Sequence, residues 1–160
     1  FFPSYAYLSR VDALLAAEGI PGAAFLREAR GLTEEEKNAL LGAFDKRDGR
    51  TVLLAVLGGA FAEGVDLAGE RLQNVIVVST GLPQMDARVR AMRRYHDENG
   101  ADGAFLCMTL PGMVRVIQSA GRLIRTQSDH GALLLIDSRY QRGAERALLS
   151  GTLIGDALSG

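Results

Sequence analysis

The chain has 160 residues, 48% of them hydrophobic and 23% charged, with a formal net charge of -1. That length suits one well-buried domain and is too short for two, and the balanced charge excludes a globally basic nucleic-acid-binding surface, so any such contact must come from a local patch or from backbone amides. A single cysteine, Cys107, excludes an internal disulfide and leaves no second thiolate for a metal site, which fits a reducing, cytoplasmic setting.

Phe1 and Phe2 read as the tail of a strand, and the abrupt opening Phe1-Phe2-Pro3 reads as though cut from something longer. Ser4 can N-cap a helix carrying Leu8, Val11 and Leu15 at helical spacing, which Gly19 ends. A short apolar segment, Ala23 to Leu26, leads to Thr33-Glu34-Glu35-Glu36, a capping-box pattern that starts a helix with Leu40, Leu41 and Phe44. Asp48-Gly49 turns the chain. Thr51 to Leu57, Val75 to Val78 and Ala132 to Ile136 are nearly continuous apolar runs, the pattern of strands buried on both faces. Between the last two lie a helix with Met85, Val89 and Met92 on one side, an ambiguous segment around Phe105, and a helix opened by Pro111. Alternating strands and helices predict an α/β fold with an open, mostly parallel sheet and helices on both faces. Residues 1-150 form the predicted domain and 151-160 a tail. The apolar runs fall far short of the roughly 18 residues of a membrane span, and no charged-then-apolar leader opens the chain, so no membrane partner is expected.

Pro111 to Arg125 carries the most chemistry. At about 100° per residue, Met113, Ile117, Ala120 and Ile124 form an apolar stripe for the sheet. Gln118, Arg122 and Arg125, spaced four and then three apart, fall together on the opposite side. Gly121 beside Arg122 leaves room for a phosphate to approach. Two guanidinium groups and an amide on one face suit a polyanion, or a solvated polar face.

Gln118-Ser119-Ala120-Gly121-Arg122-Leu123-Ile124-Arg125 spells QxxGRxxR and resembles motif VI of superfamily 2 helicases. Glu63-Gly64-Val65-Asp66, downstream of Gly58-Gly59, is similar to motif V. Glutamate before the glycine resembles the DinG/XPD branch, whereas DEAD-box RNA helicases usually have arginine there, which points towards DNA. Phe1-Phe2-Pro3-Ser4-Tyr5 resembles motif IV, Asp137-Ser138-Arg139-Tyr140 matches the family's DxRY ending, and Leu82-Pro83 sits where the family has a similar pair. The resemblance covers Phe1 to about Tyr140 and implies a second RecA-like domain of a DinG/XPD-like DNA helicase.

What the resemblance implies is specific. Arg125 is the arginine finger towards ATP bound by a first RecA-like domain, Arg122 its γ-phosphate partner and Gln118 an orienting residue, with the division between the arginines open. A planar, permanently charged fork stabilises the charge that develops in phosphoryl transfer. Gly64 and Asp66 face nucleotide, although Asp66 could equally pair with an arginine of the Gln118 helix, and Glu63 either orients an arginine or faces solvent. Gly58 and Gly59 meet the backbone of single-stranded DNA, as do Ser4 and Tyr5, where Ser4 can also act simply as an N-cap. Neither GxxxxGK[ST] nor a DEAH-like acidic motif is present, so ATP and Mg²⁺ would be shared with the first domain and the chain would be inactive alone. Many relatives carry a four-cysteine iron-sulfur cluster, which Cys107 alone cannot hold. His96 and His130 lack ligand-like companions and read as surface or boundary residues. The family precedent is 5′ to 3′ movement. The rival readings are a stand-alone nucleic-acid-binding domain without ATP coupling and a Rossmann-like dinucleotide enzyme, the latter lacking GxGxxG.

Overall fold

The computed structural model describes residues 1-45, 50-62, 72-123, 131-141 and 143-152. In chain order these form α1 (Tyr5–Glu18), β1 (Ala23–Arg27), α2 (Glu34–Asp45), β2 (Arg50–Leu54), β3 (Asn74–Val78), α3 (Ala87–Glu98), a π-helical turn (Phe105–Thr109) running into α4 (Leu110–Ala120), β4 (Ala132–Ile136), a 3-10 turn (Ser138–Gln141) and α5 (Gly143–Ser150).

The helix starts follow their caps. Ser4 is extended and its Oγ accepts from Tyr7 N at 3.2 Å, while Gly19 closes α1 with its N–H on Leu15 O. Thr33 and Glu36 form the reciprocal box ahead of α2: Glu36 N donates to Thr33 Oγ1 at 3.2 Å and Thr33 N to Glu36 Oε2 at 2.8 Å. Asp86 caps α3 through Val89 N, which places Met85 outside the helix.

β1 pairs with β2 and β3 with β4, both parallel. Phe1 and Phe2 join the pairs. Phe2 N donates to Ala55 O and Leu57 N to Phe2 O; Phe1 N donates to Ile76 O and Val78 N to Phe1 O. The order is therefore β1, β2, the Phe1-Phe2 segment, β3, β4, with every strand pointing the same way.

Alternate residues point to opposite faces. Leu54, Val56 and Phe2 pack with Leu8, Val11 and Leu15 of α1 on one face. Leu53 and Ala55 meet Leu40, Leu41 and Phe44 of α2 on the other. On that same face Val75 and Val77 pack with Met113, Val116 and Ala120 of α4 and Leu149 of α5. Helices thus cover both faces, but not all of both. Val52, Ile76, Leu134 and Ile136 are exposed, which corrects the expectation that the three apolar runs are buried on both sides. The physical reason is that α1 covers Leu54, Val56, Phe2 and Val78 on its face and stops short of those four, whereas α3 has no buried residue and leaves Met92 exposed.

Two further corrections concern the last long helix. Pro111 does not open it. The helical chain begins at Gly103, after Asp102 Oδ1 accepts from Phe105 N at 2.8 Å, and runs through the π-helical turn, in which Leu110 N bonds Phe105 O. Proline has no N–H and its ring crowds the carbonyl one turn back, and the wider turn immediately before it relieves both. The residues seated on the sheet side are Gly112, Met113, Val116, Ser119, Ala120 and Leu123, a set at helical spacing in which Ile117 lies at the flank, half-buried. Among the described residues no helix is long and apolar enough to cross a membrane.

Candidate nucleic-acid and nucleotide edges

Because the strands are parallel, their carboxyl ends share one edge, where open α/β sheets bind ligands. Ser4 and Tyr5, Glu28, Gly58 and Gly59, Ser79 to Gly81, and Asp137 to Tyr140 all follow strand ends there.

Glu28 is the organising residue of this edge, and sequence reasoning did not single it out. It is 1% exposed. Its Oε1 accepts from Tyr5 Oη at 2.9 Å and from Ala60 N at 2.7 Å, and its Oε2 accepts from Val56 N at 2.8 Å. Burial, with Glu28 beside it, pushes the Tyr5 phenol up to about 12. The Arg30 guanidinium lies 5.1 Å over the Tyr5 ring, a cation held at the same corner. Gly59 presses on Glu28 so closely that a Cβ there would run into the carboxylate.

Gly58 is exposed with φ +73°, a conformation glycine adopts without strain. A Cβ at Gly58 would lie 3.2 Å from Nε of Arg115, whose Nη1 donates to Gly81 O at 3.3 Å. A guanidinium therefore stands beside the glycine loop. In the sequence Arg115 sits outside the QxxGRxxR pattern, and only the packing of α4 against Thr80 to Leu82 brings it here. Gly112 makes that packing close: a Cβ would meet Thr80 O at 2.6 Å and Leu82 N at 3.1 Å.

Ser79 has φ 71°, the left-handed region that costs a non-glycine residue about 1–2 kcal/mol. Its neighbours hold it there. Tyr140 Oη donates to Ser79 O at 2.5 Å, Ser79 N donates to Ile136 O, and Arg139 Nη2 donates to Ser79 Oγ at 3.4 Å. Arg139 also grips Asp137 with Nε and Nη2 at 2.8 and 2.7 Å, which holds the Asp137 carboxyl below the usual range. The DxRY residues thus work here as a brace for the loop after β3.

Arg122 follows the far end of α4. α4 runs from Gly112, against Thr80 at the carboxyl edge, towards Leu123, which packs where a Gly131 side chain would sit, beside Gln73 O at the opposite edge. α4 ends at Ala120, and Gly121 to Leu123 follow it as a turn whose N–H groups still bond back to Ile117 O, Ser119 O and Ala120 O. Gly121 carries helical dihedrals but closes the helix on Ile117 O and Ser119 O, and Arg122 Nη2 then donates to Ala62 O at 2.9 Å. Gln118 is exposed and Arg122 half-buried. Arg125, Glu63, Gly64, Asp66 and His130 lie outside the described residues. Among the described residues, no group of three or more His, Cys, Asp and Glu could hold a metal ion.

The comparisons agree with this geometry. A family model described as the helicase C-terminal domain matches residues 1–153. The chain is 33% identical over 166 residues to a regulator of telomere elongation helicase 1 homolog from Anopheles gambiae, spanning 94% of this chain and 16% of that protein. It is 29% identical to the ATP-dependent DNA helicase chl-1 of Caenorhabditis elegans, over 98% of this chain and 19% of the relative. The chain therefore spans less than a fifth of these relatives' length. A solved XPD helicase superposes with a TM-score of 0.69 at 20% identity over 93% of this chain and 26% of its own. A solved apo XPD gives 0.71 at 22% over 93% and 30%. Both show a RecA-like α/β fold, and with the family model matching residues 1–153, the chain belongs to the helicase C-terminal domain family.

Proposed function

We propose that the chain is the second RecA-like domain of an ATP-dependent DNA helicase, completing an ATP site on a first RecA-like domain of the same polypeptide and gripping single-stranded DNA at its strand carboxyl edge. The observation that carries the reading is one loop met by two arginines of the α4 stretch: Arg115 stands beside exposed Gly58, and Arg122 donates to the carbonyl of Ala62, whose own N–H is bonded to Gly59 O. Similarity to an ATP-dependent DNA helicase supports ATP and DNA as the two ligands.

The donor set suits a phosphate. Arg122 and Arg125 would face the γ-phosphate, with Gln118 orienting them and Gly64, Asp66 and Glu63 lining the nucleotide side. Magnesium is assigned to the first domain. When bound, ATP supplies a terminal phosphoryl group whose transfer builds negative charge, and the arginines of this chain stabilise that charge. At the carboxyl edge, Ser4, Tyr5 and Gly58 hold strand phosphates through backbone amides and short polar groups, and Gly59, whose N–H is taken by Val56 O, lets the strand backbone approach closely. Domain closure then moves the strand relative to one domain, in the 5′ to 3′ direction by family precedent.

The test is DNA-stimulated ATP hydrolysis by a polypeptide carrying both RecA-like domains, comparing Arg122→Ala and Arg125→Ala with the parent. A loss of roughly a thousandfold in turnover at either arginine, with ATP binding retained, is the expected result. Near-normal turnover in both refutes the arginine role and leaves a nucleic-acid-binding module without ATP coupling.

A further inference from the structure

We propose that Glu28 is a positioning residue for the nucleic-acid edge: its carboxylate holds Tyr5 and the Gly58-Gly59 loop in one fixed relation, so that both address the same stretch of strand backbone. The inference rests on the reading that this edge grips single-stranded DNA. It assigns a role to a residue outside every motif read from the sequence.

A buried carboxylate is costly unless its oxygens are hydrogen-bonded, and an apolar side chain would fill the same volume without that cost. Here the three donors come from two segments remote in sequence, Tyr5 at the start of α1 and Val56 and Ala60 on either side of the glycines. Both oxygens are used, so the relative placement of the segments is fixed in two directions. Gly59 completes the clamp, since only a residue without a side chain fits against the carboxylate. The exposed member of the loop is Gly58, so the clamp acts from beneath and leaves the outer surface open to a ligand.

Glutamine at this position has nearly the same shape but one acceptor oxygen. Placed on Tyr5 and Ala60, it turns its amide towards Val56 N–H; flipped, it turns the amide towards Ala60 N–H. Either way one backbone donor faces another donor, and the loop must shift. A displacement of this kind weakens strand binding while leaving the arginine edge in place.

Binding of a fluorescein-labelled oligothymidylate to the chain, followed by anisotropy below the melting transition of each variant, tests the proposal. Glu28→Gln is expected to weaken binding about tenfold, equivalent to about 1.4 kcal/mol. Tyr5→Phe, which removes one of the three donors, loses less. Gly59→Ala weakens binding alone but adds little in the Glu28→Gln background, because both break the same clamp. In a polypeptide with both domains, the half-saturating DNA concentration rises while turnover at saturating DNA stays within about twofold, a split that general destabilisation does not produce. Unchanged affinity in Glu28→Gln, or losses that add in full with Gly59→Ala, overturns the inference while the DNA-grip reading survives. Failure of the parent chain to bind the oligonucleotide removes both. Should Glu28→Gln not fold, Glu28→Asp decides, since its shorter carboxylate keeps the charge but cannot reach Tyr5, Val56 and Ala60 together: weakening supports the clamp, and parental affinity refutes it.

Discussion

Replacing glycine by alanine at positions 42 and 112 should move stability in opposite directions. Both positions are helical, and in each case the new methyl group gains about 1 kcal/mol of helix propensity. At Gly42 in α2 nothing lies within 4 Å of the added Cβ, so that gain stands alone. At Gly112 the methyl meets Thr80 O at 2.6 Å and Leu82 N at 3.1 Å. Both are backbone atoms of the loop that Tyr140 and Arg139 brace, so neither can swing aside as a side-chain end would. Overpacking of a close contact costs about 1–3 kcal/mol, and an unyielding neighbour places this one near the top of that range. The net expectation is a gain of about 1 kcal/mol for Gly42→Ala and a loss of about 2 kcal/mol for Gly112→Ala. Urea unfolding followed by circular dichroism measures both, with equal slopes required for the comparison. Stabilisation by Gly112→Ala comparable to that of Gly42→Ala would mean that α4 is not seated against Thr80 to Leu82, and with that the placement of Arg115 would fail.

Two other outcomes follow from the carboxyl edge. Arg115→Ala should weaken oligothymidylate binding and lower the slope of log affinity against log salt by about 0.7, the value for one phosphate contact on a single strand; an unchanged slope would place Arg115 off the strand. Asp137 has its carboxyl lowered chiefly by the Arg139 hydrogen bond, so its contribution is complete above the unfolded value of 3.8 and is lost as pH falls through the lower folded value. The stability gap between the parent and Asp137→Asn, measured by urea unfolding, should therefore narrow as pH drops below about 4, and a gap independent of pH would refute the pairing.

Much of this was legible in the sequence because its signals are local. Ser4, Gly19 and the Thr33–Glu36 box mark helix ends by chemistry that operates within four residues, and the apolar runs marked three of the strands. What escaped depends on contacts distant in sequence. Gly121 marks the end of α4 locally, but that Arg122 then reaches Ala62 O, 60 residues away in sequence, has no local signal. The exposure of Ile76, Leu134 and Ile136 depends on how far α1 extends across the sheet, which periodicity does not encode. Glu28 lies between Arg27 and Arg30 in a stretch whose polarity reads as solvated loop, and only the approach of Tyr5, Val56 and Ala60 turns it into a buried clamp.

The proposed DNA and nucleotide contacts both draw on the loop from Gly58 to Ala62, so the coupling between them needs a rigid frame behind that loop. α4 supplies one. Its 11 residues span about 16 Å, and a helix of that length bends little. Arg115 lies against Gly58, and Arg122, about two turns further on, holds Ala62 O. The segment from Gly58 to Ala62 thus has Arg115 beside its start and Arg122 bonded to its end, while Glu28 fixes Ala60 in its middle. On the proposed reading, a strand phosphate at Gly58 and a γ-phosphate at Arg122 act on the same body.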